Sequence, residues 1–267
     1  MNMNTNGNVY TVIYTTCIVV VVAAVLAFAA MSLKPRQDAN IQAETISQML
    51  AAAQIDTKAN LDALGNEKVL AMYTEKVSRA FVVDAEGREI RTLGTESGHI
   101  ELADKLKAVN DRIRHGKTDA VELPVYVFDN GGKTVTVIPC YGAGLWGPVW
   151  GYLAFEEDLR TLAGAYFDHE SETPGLGAKI KDDPDFRARF IGKEADFSAE
   201  SPLAIVKGGA GENIHAVDAI TGATMTSKGL DGAINTWLAA YKPYFEKNQP
   251  VSEPEAAPAV EPEAAAE

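Results

Sequence analysis

Cysteine is nearly absent: Cys17 lies in an apolar N-terminal run and Cys140 stands alone in the rest of the 267 residues. That excludes a disulfide framework and any cysteine-based metal centre. Four scattered histidines do not supply a zinc site, so we expect no metal. Basic residues are also short, with 24 Lys and Arg against 37 Asp and Glu and a formal net charge of −13. Without a Lys/Arg stripe, an acidic chain makes a poor receptor for nucleic acid. There is no Gly-x-x-x-x-Gly-Lys run, which removes the P-loop, and no internal repeat.

Charge is missing altogether before Lys34. After a short tail at residues 1–8, Val9 to Met31 is long enough to cross a bilayer as one helix, for which about twenty residues suffice. A cleaved signal peptide, with Ala27-Phe28-Ala29 as the cleavage site, is the rival. It is disfavoured because the run exceeds a usual h-region and lacks a basic n-region. Lys34 and Arg36 beyond the run vote for a cytoplasmic domain, but two charges decide little when a long domain follows. One helix without an intramembrane carboxylate is too little for an ion pathway. At the other end, residues 248–267 hold Glu253, Glu255, Glu261, Glu263 and Glu267 among Ala and Pro, the composition of a disordered tail.

Residues 32–247 have the patterning of a soluble domain. Asn40 to Ile55 reads as an amphipathic helix, with Asp38 as its cap. Phe81–Asp84 and Arg88–Leu93 flank the turn Ala85-Glu-Gly87. Val121–Phe128 and Thr134–Cys140 flank Asp129-Asn-Gly-Gly132, and each set reads as a hairpin. A glycine-rich loop, Tyr141 to Gly147, precedes two strand-like runs, Val149–Phe155 and Thr161–Asp168. Pro184–Ile191 reads as a helix and Leu203–Val206 as a short strand. Leu230, Ile234, Trp237, Leu238, Tyr241 and Phe245 recur at helical spacing. The expected fold class is α+β: one transmembrane helix, then an antiparallel-sheet domain with flanking helices and no Rossmann order.

The most informative segment is Asp218-Ala-Ile-Thr-Gly-Ala-Thr-Met-Thr226, followed by Ser227. Thr221, Thr224, Thr226 and Ser227 surround Gly222 and Ala223, giving many hydroxyls and little bulk. Thr226 or Ser227 stands where the N-cap of the last helix belongs, and a helix N-terminus favours a phosphate. Taken alone, the segment is either such a site or an ordinary cap. A second segment, Phe167 to Gly177, contains His169 and Glu172-Thr-Pro-Gly-Leu-Gly177.

Together the two segments carry a resemblance to the C subunit of the sodium-translocating NADH:quinone oxidoreductases, and more broadly to the covalent FMN-binding domain shared with the G subunit of Rnf complexes. The attachment pattern Asp-x-x-(Ser/Thr)-Gly-Ala-(Ser/Thr)-x-Thr is met by Asp218, Thr221, Gly222, Ala223, Thr224 and Thr226. The second block, aromatic-x-His-x-x-Glu-Thr-Pro-Gly-Leu-Gly, is met by Phe167, His169, Glu172, Thr173, Pro174, Gly175, Leu176 and Gly177. The resemblance covers nearly all of residues 9–245, and Gly144-Leu-Trp146 followed by Trp150–Phe155 resembles the quinone-reductase member more than the shorter Rnf one. Two departures, Gly147-Pro-Val and the acidic tail, leave the attachment pattern intact.

The resemblance implies one FMN held by a phosphoester on Thr226, installed by a separate flavin transferase that uses FAD. It implies an FMN-binding region of about residues 120–245 on the periplasmic side of the inner membrane. There it would relay electrons among the other subunits of the reductase. Leu145, Trp146 and Leu176 are candidate walls for the isoalloxazine ring, which needs apolar surroundings. Glu172, Thr173 and His169 are candidate partners of the ring edge or ribityl chain, and Gly177 closes that block. Lys207 is a candidate to neutralise the phosphoester or stabilise reduced flavin. Asp218 would repel a phosphate, so it is assigned to recognition by the transferase. Two alternatives stand beside this reading. One is an Rnf-type relay with a different electron donor. The other is a membrane-tethered sensor domain built on the Phe81–Arg88 hairpin, for which residues 1–8 leave too little room for an output module.

Overall fold

A computed structural model of the chain describes residues 7–103, 105–117 and 121–250. The expected tail at 248–267 therefore lies outside them from residue 251 onward. Asn248 itself belongs to the last helix.

The first helix, α1, runs without interruption from Asn8 to Ala52, through Pro35. Its first half is apolar, and Val9 to Met31 spans about 35 Å at the rise of an α-helix, enough for a bilayer core. That part is exposed, whereas Ala43 and Ile46 to Ala52 are buried. The expected separate helix from Asn40 is thus the end of α1. Asp38 does not cap it but lies inside and pairs with Lys34, one turn back, at 3.3 Å. Pro35 has no N–H to donate to the Met31 carbonyl, yet the helix continues across 32–39 without a new start.

Two helices not anticipated from the sequence follow, α2 (Lys58–Leu64) and α3 (Asn66–Lys76). Then comes the six-stranded antiparallel sheet: β1 (Val77–Val83), β2 (Glu89–Thr92), β5 (Leu123–Asn130), β6 (Lys133–Ala143), β7 (Pro148–Phe155) and β8 (Leu162–His169), in the order β2-β1-β5-β6-β7-β8. The short pair β3 (Thr95–Glu96) and β4 (His99–Ile100) and helix α4 (Leu106–Arg114) fill the β2-to-β5 connection. Both expected hairpins form. In the second, Asn130 pairs with Lys133, and Gly131 and Gly132 take φ of 65° and 88°, the left-handed pair a two-residue hairpin turn demands. The glycine-rich loop is shorter than expected, because Tyr141 to Ala143 extend β6 and pair with Pro148 to Trp150.

Residues alternate between two cores, as a sheet covered on both faces requires. On one face Tyr126, Phe128, Val135, Val137, Tyr152 and Ala154 pack with the end of α1 and with Tyr73 of α3. On the other, Val125, Ile138, Cys140, Val149, Leu153, Phe155 and Phe167 pack under the last helix, α7 (Thr224–Asn248), through Leu230, Ile234, Trp237, Tyr241 and Phe245. Helices α5 (Lys179–Asp182) and α6 (Pro184–Ala188) flank β8. The helix expected over Pro184–Ile191 ends three residues early. Strand β9 (Ala204–Val206) pairs in parallel with β10 (Ala216–Asp218), a small departure from the antiparallel expectation.

Gln48 fastens α1 to the sheet: its amide donates to Asp168 at 2.8 Å and its oxygen accepts from the Trp150 indole at 3.3 Å. Lys181 reaches the same Asp168 at 2.9 Å, so a buried carboxylate at the end of β8 is fully partnered.

Cys140 is wholly buried, and burial pushes its thiol up to about 12. The thiolate, the reactive form, is therefore scarce at pH 8. In a Cys17→Ser background, maleimide should add nothing to the native chain over minutes at that pH and one adduct in guanidinium, read by intact mass. Labelling of the native chain at the denatured rate would contradict this packing.

Candidate functional site

Three loops meet at one end of the sheet. The first, 144–147, joins β6 to β7 and closes on itself through Gly144 N–H donating to Gly147 C=O at 2.8 Å. The second, 170–178, follows β8. There the Thr173 carbonyl accepts from the Leu176 and Ala178 N–H groups, each at 3.1 Å. The third, 219–223, leads from β10 into α7.

Glu172 ties the first two loops to the first turn of α7. Its Oε1 accepts from the backbone N–H of Leu145 at 2.7 Å and of Trp146 at 3.0 Å, and its Oε2 accepts from the Thr226 hydroxyl at 2.6 Å. Its own N–H donates to Nδ1 of His169 at 3.1 Å, which leaves that nitrogen as the acceptor of the ring. Ser171 donates to the Trp146 carbonyl at 3.1 Å, a second link between the loops. Glu172 is 4% exposed and Thr226 1%. A buried carboxylate needs such donors, since desolvation without them is costly.

Gly177 stands against this pair. A Cβ there would sit 2.4 Å from Oε2 of Glu172 and 2.5 Å from Oγ1 of Thr226, so no side chain fits without displacing the contact. Gly222 has φ of 83° and faces Leu176, whose Cδ2 would lie 3.1 Å from a Cβ at that position. Ala223 is the N-cap of α7, which corrects the expectation that Thr226 or Ser227 caps it. The helix starts three or four residues earlier than the hydroxyl pattern implied. Ser227 instead accepts from the Ile220 N–H at 3.1 Å, holding the preceding turn. The N–H groups of Thr224, Met225 and Thr226 find no acceptor among the described residues, as expected for the first turn of a helix.

Around the buried pair the surface is apolar and open: Leu145, Trp146, Leu176 and Met225 are 49%, 67%, 43% and 56% exposed. Thr221 and Thr173 are exposed, and Thr224 is half-buried. Of the sequence candidates, the structure thus brings Leu145, Trp146, His169, Glu172, Leu176, Gly177, Gly222 and Thr226 into one contact network. Lys207 is exposed just past Val206, the β9 partner of Asp218, and forms no ion pair with any described residue. The Asp218 carboxylate accepts from the Ala210 N–H at 2.5 Å, so it closes the 207–210 loop.

Met225 and Gly229 were not singled out in the sequence. Gly229 marks where α7 meets β6, because a Cβ there would lie 2.3 Å from the Ala143 carbonyl oxygen. A glycine inside an otherwise well-patterned helix was the available signal. Asp231, one turn on from Ser227, accepts from the Ile205 N–H at 2.7 Å; burial raises its carboxyl pKa, and that hydrogen bond acts against the rise.

Comparison with known proteins agrees with this arrangement. A family model described as an FMN-binding domain matches residues 144–239, the stretch that contains all three loops. The C subunit of the Na(+)-translocating NADH-quinone reductase of Pseudomonas aeruginosa is 31% identical over 253 residues, covering 88% of this chain and 93% of that protein. Its counterpart from Yersinia pestis is 31% identical, with 92% and 94% covered. Among solved structures, the corresponding C subunit from Parabacteroides distasonis superposes with a TM-score of 0.64 at 31% identity, covering 80% of this chain and 96% of that one. NqrC of Shewanella oneidensis gives 0.59 at 28%, with 75% and 94% covered. With the fold, the FMN-binding stretch and similarity over nearly the full length in common, the chain belongs to the family of C subunits of the Na(+)-translocating NADH-quinone reductases.

Proposed function

We propose that this chain carries one FMN joined by a phosphoester to Thr226, and that it relays electrons between other subunits of a Na(+)-translocating NADH:quinone reductase. The observation that carries the reading is the Thr226 hydroxyl in the first turn of α7, beside N–H groups without acceptors and ringed by exposed apolar side chains. A helix N-terminus of this kind stabilises a phosphate, and an apolar rim suits a planar ring. The residues therefore fit the group.

In this reading Thr221, Thr224 and the backbone of Gly222 and Ala223 hold the phosphate. Leu145, Trp146 and Leu176 wall the ring and exclude water from it. Glu172, Thr173, His169 and Gly177 shape the opposite edge, and Lys207 offsets the negative charge from the β9 end. Bound there, FMN supplies reversible electron transfer, and a covalent bond frees the noncovalent contacts to set orientation and potential. Residues 9–31 anchor the domain in the inner membrane as a single pass, with residues 32–247 in the periplasm. The names of the relatives favour the quinone-reductase role over an Rnf-type relay.

The test is peptide mapping of the full chain coexpressed with a flavin transferase. The flavin mass should fall on the peptide containing Thr226, and fluorescence should remain with the denatured band. Asp218→Asn, in the same assay, should lower the labelled fraction if the transferase reads that residue. Unmodified Thr226 in a fluorescent protein would sink the assignment.

A further inference from the structure

Glu172 and Thr226 are 54 residues apart in sequence, and their oxygens lie 2.6 Å apart in a site almost closed to water. Among the described residues the carboxylate is the acceptor of that hydroxyl. Its other oxygen is already held by two backbone N–H groups, so the carboxylate cannot rotate without breaking both. Gly177 contributes no side chain that would separate the pair. A free hydroxyl is a weak nucleophile, and an adjacent fixed base is the usual means of activating one.

We propose that Glu172 is the general base that loads Thr226 with flavin, an inference that rests on the reading of Thr226 as the acceptor. Forming a phosphoester from FMN itself would require expulsion of an oxide or hydroxide, whereas a flavin dinucleotide offers a phosphoanhydride with a good leaving group. Oγ1 of Thr226 attacks the phosphorus on the flavin side of that anhydride, and the bond to the nucleotide-side oxygen breaks. The bonding pair leaves on AMP. The hydroxyl proton passes to Oε2 of Glu172 and then to solvent, so one Thr–OH and one FAD give one flavinyl phosphoester, one AMP and one proton, with no change in oxidation state. Once loaded, Thr226 has no proton to donate, and Glu172 retains only its hold on the 144–147 loop.

A loop clamp alone would need an acceptor for two N–H groups, which glutamine also provides. A base needs a lone pair that can take up a proton, which the amide lacks. The experiment uses the full flavin-free chain in detergent with FAD and purified transferase, following the fluorescent band and the mass of the Thr226 peptide with time. Glu172→Gln should load about 10²-fold more slowly or worse, and Glu172→Asp should recover at least part of the rate. Glu172→Ala should be accelerated by added formate, a small carboxylate able to occupy the vacated space. The last arm keeps the test decisive should Glu172→Gln prove poorly folded by thermal melting. Wild-type loading rates in Glu172→Gln, or an absence of formate rescue in Glu172→Ala, overturn the base while leaving Thr226 as acceptor. Flavin on another residue of the wild-type chain overturns the acceptor itself.

Discussion

Thr226→Ala should carry no covalent flavin after coexpression with the transferase, a loss of the whole fluorescent signal from the denatured band. The alanine removes the one oxygen of this site that is both buried and paired with Glu172. It also strips Oε2 of its donor, and an unsatisfied buried acceptor costs roughly 1–3 kcal/mol, more for a charged group. Thr226→Ala alone therefore confounds a missing nucleophile with a loosened site. Thr226→Ser separates the two, since it keeps the hydroxyl and should load. Thr221→Ala and Thr224→Ala should load as well, because neither hydroxyl is the linkage. Retention of covalent flavin by Thr226→Ala would show that the linkage lies on another residue.

The sheet was legible because its period-two alternation is a direct record of two buried faces, and the Gly131-Gly132 turn fixed one register. The last helix was legible for the same reason at period 3.6. Its start was not. Hydroxyls at 224, 226 and 227 each satisfy the composition of a cap, and which of them faces the turn depends on the helix phase imposed by the sheet. The continuity of α1 was hidden because Asp38 and Pro35 carry terminator signals that a helix can override once both ends are held, one by its own apolar character and the other by Gln48. The role of Glu172 was out of reach for a different reason. Sequence placed it near the flavin ring, but its partners come from residues 145, 146 and 226, and contacts over such separations leave no local pattern. Helices α2, α3 and α4 are short, at 7, 11 and 9 residues, and a segment of that length depends on its packing to stay helical.

Trp237→Ala should lower the stability of the sheet domain by about 3–5 kcal/mol, the range for truncating a fully buried large aromatic. The indole lies on the sheet-facing side of α7, three turns beyond Thr226, and its N–H is shared between Asn110 of α4 at 3.1 Å and the Tyr141 carbonyl of β6 at 3.0 Å. Truncation therefore leaves a cavity and also deprives two acceptors of a donor, one of them on the buried Asn110. For a domain of this size each kcal/mol corresponds to roughly 2–4 °C, so the midpoint of a thermal melt in detergent should fall on the order of 10 °C. Trp237→Phe keeps most of the volume and loses the N–H, and should cost about 1–2 kcal/mol, which divides the packing part from the polar part. A fall of under about 2 °C for Trp237→Ala would mean that α7 is not held to the sheet at this point. Because Tyr141 begins the stretch that leads into the 144–147 loop, the same contact sets the distance between α7 and the loop that Glu172 holds. Trp237→Ala should accordingly slow flavin loading even at temperatures where the domain remains folded, whereas a destabilising change remote from α7, matched in melting point, should not.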